Sequence, residues 1–139
     1  MKSIIKVALV ILLVIVGLPI LMFALVLSFG ADGICGNDIY AEIHSPDRRY
    51  KAIVFQRDCG ASTDFSTQIS ILKNNAALKN KSGNTFIVRG HPDAHALELK
   101  WLLNKELLIN RQLDGSEVKA AQSQGWLNKI EVSYAVSDS

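Results

Sequence analysis

Most signatures of chemistry are missing from this 139-residue chain. Its nine glycines are scattered, so no Gly-rich loop is present to cradle a phosphate. There are 15 Lys+Arg and 13 Asp+Glu in all, and setting aside Lys2 and Lys6 leaves 13 of each for residues 32–139. That balance carries no basic stripe with interleaved aromatics and excludes nucleic acid as a partner. No repeat of 20–50 residues is present, which excludes a solenoid or a propeller. Three histidines are available, and His91, Asp93 and His95 are spaced like metal ligands. Gly90 and Pro92 break the helix that would set both rings on one face, and no Cys or Glu completes a known ligand spacing. No metal and no cofactor are therefore expected, and with no catalytic motif in view, no enzymatic activity.

Charge is absent altogether from residues 7–31, and that gap is the strongest signal in the chain. Residues 7–27 are apolar apart from Gly17 and Pro19. As a helix at ~1.5 Å per residue, that stretch spans roughly 31 Å, about one hydrocarbon core. A signal-peptide apolar region is shorter, about 7–15 residues. Ser28-Phe29-Gly30 is a passable cleavage site, so retention and cleavage both stay open, with length favouring a retained anchor. Pro19 is tolerated in a membrane helix because neighbouring groups satisfy the freed carbonyl. Lys2 and Lys6 precede the run and Asp32 is the first charge after it. The positive-inside rule then puts the N-terminus in the cytoplasm. The expected organisation is a cytoplasmic tip and signal-anchor over residues 1–31, contacting the bilayer through residues 7–27. A periplasmic or extracellular domain over residues 32–139 follows.

Only two cysteines occur, Cys35 and Cys59, and an oxidising compartment makes a disulfide the default. Ile39, Ala41 and Ile43 alternate with Tyr40, Glu42 and His44, a strand period. Ser45-Pro46-Asp47-Arg48-Arg49 is turn chemistry, and residues 50–58 are β-rich again. A regular hairpin centred on Asp47 sets Cys35 directly opposite Cys59, at a separation that suits a disulfide. A slip of one residue would spoil that pairing. The alternative for Cys59 is a reactive or metal-binding thiolate, which needs a nearby base; nothing in the spacing ties His44, His91 or His95 to it.

Further strands are expected over residues 66–72, 85–89, 97–101, 106–112 and 130–134, with a long connection over residues 73–84. Ser116 is read as the cap of a short helix over residues 117–122. Trp101 and Trp126 are read as core or sheet-packing residues. About seven strands with turn signals between them predict a small mainly-β domain, an antiparallel sheet or sandwich.

Several blocks are familiar. They are Cys35-Gly36-Asn37, Ser45-Pro46-Asp47, Phe55-Gln56-Arg57-Asp58-Cys59-Gly60-Ala61-Ser62-Thr63, residues 66–72 and Gly83-Asn84-Thr85-Phe86. Together they resemble a family of small bacterial membrane-anchored or extracytoplasmic proteins of unknown function, with Arg57-Asp58-Cys59-Gly60 the most specific part. The resemblance covers roughly residues 35–89 and implies a bacterial, extracytoplasmic domain without implying any chemistry. Ser45-Pro46-Asp47-Arg48-Arg49 is also similar to the Ser-Pro-Asp-Gly-Lys turn of β-propeller blades, which supports the hairpin; here Arg48 stands where the blades carry glycine.

The candidate ligand or partner site is the loop after the second strand, with Arg57, Asp58, Ser62, Thr63 and Asp64. A guanidinium, two carboxylates and hydroxyls on a disulfide-anchored loop suit a polar ligand. The bland reading is local ion pairs and satisfied turn backbone. The expected function is binding or assembly in the cell envelope, with an envelope protein as partner. The alternative is a small hydrolase or metal-binding protein using Asp58, Asp64 and the histidines.

Overall fold

The computed structural model describes residues 1–29, 34–60 and 63–136, and the chain forms two compact units, Met1–Gly33 and Ile34–Ser139. The first unit is helix α1, Lys2–Phe29, with Pro19 inside it. None of its apolar, membrane-length stretch is buried by the protein. It is long and apolar enough to cross a membrane.

The second unit is a two-sheet β domain. Strands β1 (Gly36–His44), β2 (Tyr50–Asp58), β3 (Ser66–Lys73) and β4 (Phe86–Arg89) run as an antiparallel meander. After a one-turn helix, α2 (Pro92–His95), come β5 (Glu98–Leu103) and β6 (Glu106–Gln112). Strands β7 (Glu117–Ala120), β8 (Ser123–Gln124) and β9 (Ile130–Ala135) complete the domain. The sheet orders are β1-β2-β3-β4-β7 and β5-β6-β9-β8.

The first hairpin departs from the expected register and then returns to it. Its turn is one residue longer than a hairpin centred on Asp47, so His44 pairs with Lys51 and Ile43 with Ala52. Ser45 N donates to the Tyr50 carbonyl at 2.9 Å. Ser45 Oγ accepts from Tyr50 N at 3.0 Å and donates to Asp47 Oδ1 at 2.8 Å. Arg48 takes the left-handed conformation, φ 55°, at the position where glycine is favoured. A bulge at Tyr40 then absorbs the extra residue, so that Ile39 pairs with Phe55 and Gly36 with Asp58. Cys35 and Cys59 therefore meet and are bonded, with Cα atoms 3.9 Å apart. The expected disulfide is present, through two deviations that cancel.

One face of the first sheet builds the main core. Ala52 and Val54, Ile69 and Ile71, and Phe86 and Val88 pack on Leu107, Ile109, Ile130 and Val132 of the second sheet. Each such side chain contributes roughly 1.5–3 kcal/mol when fully removed from water.

The opposite face is closed by the long connection between β3 and β4. Ile53 and Phe55 are fully buried, beside Arg57, Gln68 and Ser70. Gly83 N donates to Gln68 Oε1 at 2.6 Å. A Cβ at Gly83 would lie 2.9 Å from the Ile69 carbonyl oxygen, so only glycine allows this approach. Asn84 acts as a substitute strand: Ile71 N donates to its Oδ1 at 2.9 Å, and its Nδ2 donates to the Ile71 carbonyl at 2.8 Å.

Two expectations about elements are corrected. Residues 117–120 form strand β7 rather than a capped helix, because pairing with β4 satisfies their backbone and covers that sheet edge. Within the second sheet, β9 lies parallel to β6, so the domain is not wholly antiparallel. Parallel neighbours need a crossover, and the chain supplies it by visiting the first sheet as β7.

Candidate functional site

Arg57 is buried rather than displayed on the loop. It is 3 % exposed on the inner side of β2, under the β3–β4 connection. Its Nη1 donates to Asn37 Oδ1 at 2.7 Å and to Asn80 Oδ1 at 3.0 Å. Asn80 Nδ2 donates to the Cys35 carbonyl at 2.6 Å, and Asn37 Nδ2 to the carbonyls of Lys79 and Lys81. The guanidinium thus pins the connection to the disulfide end of the hairpin, a role a buried charge can fill only when hydrogen-bonded.

Asp58 folds onto its own loop, accepting from Gly60 N at 2.8 Å. Thr63 Oγ1 donates to the Gly60 carbonyl at 3.3 Å. These are the local satisfactions that turn-forming side chains make. Asp64 is exposed, and Ser62 lies outside the described residues. Arg57, Thr63 and Asp64 do share one small cleft of about 390 Å³, which Ile87, Arg89 and Val118 close from β4 and β7.

The histidines are separately engaged. His95 Nε2 lies 2.6 Å from the Arg89 carbonyl, an acceptor only, so Nε2 carries the proton. Nδ1 then accepts from Arg111 Nη1 at 3.2 Å. His91 Nδ1 faces Asp93 Oδ2 at 3.2 Å, and His44 sits between Asn74 and Glu42. Among the described residues no three His, Cys, Asp or Glu side chains gather into a metal-binding group. Asp93 also accepts from the Tyr40 hydroxyl, which ties α2 to the bulge. That hydrogen bond and the carboxylate's charge push the Tyr40 pKa above its ordinary value.

Arg111 organises a second polar knot. Its Nε donates to Glu117 Oε1 at 3.0 Å, and Gly115 N donates to Glu117 Oε2 at 3.0 Å. Burial raises the Glu117 carboxyl, but backbone donors and the Arg111 guanidinium outweigh it and hold the group below the usual range. Burial, followed by the nearby Glu117 charge, pushes the Tyr134 hydroxyl up to about 12.

An apolar opening lies elsewhere, and nothing in the loop motif points to it. Where β1 and β2 of the first sheet approach β5 and β6 of the second lies a cleft of about 600 Å³. Ala41, Ile43, Ala52 and Val54 line one wall and Leu97, Leu99 and Leu108 the other. The short side chains of Ala41 and Ala52 make the room. Trp101 of β5 bonds across to β1, its Nε1 donating to the Ile43 carbonyl at 3.2 Å. At the mouth stand Glu98, Lys100 and Asn110. Asn110 Nδ2 donates to Glu98 Oε2 at 3.3 Å. The one signal in the sequence was the pair of alanines on strands otherwise lined with large apolar residues.

Trp126 corrects a further expectation. It packs against nothing in the core and is 92 % exposed, whereas Trp101 packs against the core as expected. Comparison with family models, curated proteins and solved structures finds no match for this chain.

Proposed function

We propose that the protein is held in the cytoplasmic membrane by α1, N-terminus inside, and displays its β domain outside as a binding domain rather than an enzyme. The ligand we assign to it is an amphiphile, with its apolar chain in the cleft between the sheets and an anionic head at Lys100. The apolar cleft carries this reading: its size falls within the range of small-molecule sites, and its lining is mostly apolar, with Glu98, Lys100 and Asn110 as its polar members. Glu98 is already engaged by Asn110, which leaves Lys100 as the cation at the mouth. The disulfide supports the oxidising side of a membrane, and the unburied apolar helix supports the anchor. The family resemblance over residues 35–89 supports a bacterial envelope setting.

Two measurements test it. A photoreactive fatty acid added to the full-length protein in phosphatidylcholine nanodiscs is expected to crosslink to residues 41–43 or 97–100. Ala41→Trp, which fills the cleft from the exposed edge strand, is expected to abolish that crosslink, and Lys100→Glu to weaken it. Crosslinks confined to α1 would overturn the ligand assignment. For topology, intact mass after impermeant-maleimide labelling of cells should show a full-length chain alkylated only after reduction. A chain shortened by about 30 residues would replace the anchor by a cleaved signal.

A further inference from the structure

We infer that the end of the β domain farthest from the disulfide is a docking surface for a bilayer carrying anionic lipid. Three turns meet there. Glu131 N donates to the Lys105 carbonyl at 2.8 Å, and Lys105 Nζ lies 3.5 Å from Asn128 Oδ1, joining the β5–β6 and β8–β9 turns. Pro46, Asp47 and Arg49 of the β1–β2 turn share one cleft with Leu102, Leu103 and Lys129.

The apolar side chains at this end point away from the protein. Trp126 is 92 % exposed, Leu127 84 % and Leu103 60 %. Gly125 forces this arrangement: its φ is +91° and a Cβ there would crowd the Asn128 carbonyl, so the turn is tight and its next two side chains project outward. Water-exposed Trp and Leu side by side on a turn are costly unless something covers them. The cleft at this end carries Arg49, Lys105 and Lys129 against Asp47, Glu106 and Glu131, and the adjoining cleft, which shares Arg49, adds Arg48 and Lys73 with no carboxylate in its lining. Asp47 pairs with Arg49 and Glu131 with Lys129, so the excess over Glu106 is carried by Arg48, Lys73 and Lys105.

This chemistry matches a lipid interface better than a protein one. Tryptophan prefers the headgroup region, where its ring is half-immersed and its N–H stays wet. Lysine and arginine near an anionic leaflet each add attraction, whereas lysine is depleted from protein–protein interfaces. The apolar groups also project from turns rather than forming the flat, packed centre of a protein contact. Ile34 and Cys35, where the chain enters the domain, lie at the opposite end of β1, so this surface is not occupied by the domain's own connection.

The test uses the full-length protein in phosphatidylcholine nanodiscs, mixed with vesicles made of equal parts phosphatidylcholine and phosphatidylglycerol. A second set of discs carries phosphatidylglycerol in the disc itself. Tryptophan emission is expected to shift to the blue and to be quenched by brominated lipid in at least one arm, and Trp126→Phe should remove that response while leaving Trp101 emission. Trp126→Ser with Leu127→Ser should weaken association at least about tenfold, the order expected from two buried apolar side chains. Lys105→Glu with Lys129→Glu should remove the dependence on phosphatidylglycerol. Because all four side chains are exposed, folding is checked independently by the protected disulfide in the intact mass. Unchanged Trp126 emission in both arms, with the disulfide intact and the chain retained in the disc, overturns the proposal. So does binding to native membranes but not to lipid-only vesicles, which assigns the surface to a protein partner.

Discussion

The two faces of the five-stranded sheet are both covered, by different means. The face turned to the second sheet is closed by interchangeable apolar contacts among Ala52, Val54, Ile69, Ile71, Phe86 and Val88. The other face is closed by the β3–β4 connection, whose hold depends on individual polar bonds from Arg57, Gln68, Asn80 and Asn84. Hydrophobic burial is additive and tolerant of shape. A polar seal is worth little net per bond but costs the full desolvation of any group left unpaired. The first face should therefore fail in proportion to volume removed, and the second should fail one hydrogen bond at a time.

The largest effect is expected on the apolar face. Phe86→Ala leaves a cavity between the sheets and should lower unfolding free energy by about 3–5 kcal/mol, read from the urea midpoint. Replacing both cysteines by serine removes a crosslink of sequence separation 24 and should cost about 3 kcal/mol. If the polar seal depends on the hairpin end being fixed, that variant should also speed amide exchange at Lys81 more than at Leu107. Asn84→Ala leaves Ile71 N and O unpaired and should cost about 1–3 kcal/mol, although it removes almost no apolar area. A cost near zero would show that the connection is held by packing instead, and the contrast between the faces would collapse.

The smallest effect is on pH dependence. Glu117 has a depressed carboxyl in the fold, so its contribution is present above the unfolded carboxylate range of about 4.3 and is lost as pH falls through the folded value. Urea midpoints measured from neutral pH down to pH ~3 should decline, and Glu117→Gln should flatten that acid limb. An unchanged acid limb would assign it to other carboxylates, with Asp47 and Asp114, both held low by serine hydroxyls, next in line.

Local pattern carried much of the architecture. The period-2 stretches around Ile39, Ile69, Leu99 and Ile130 became β1, β3, β5 and β9, because alternation is written residue by residue. The polar loop motif was legible as a cluster but not as a set of directions: Arg57 and Asp58 are adjacent, yet one is buried under the connection and the other faces its own turn. A helix cap at Ser116 was a sound local reading, overridden by a strand edge that needed covering. Of the inter-sheet cleft only the small Ala41 and Ala52 were legible, not the cleft itself, since its two walls are some fifty residues apart.

The sequence alone determined what depends on composition and near neighbours: an apolar helix of membrane length, a first hairpin, and two cysteines with only each other as partners. Tertiary structure decided what depends on pairing between distant segments. It placed the Tyr40 bulge that restored the cysteine register, set β9 parallel to β6, and turned Trp101 inward and Trp126 outward. The physical reason is range. Side-chain alternation and helical hydropathy are local properties, whereas register, strand direction and burial are settled by which surfaces meet once the chain has closed on itself.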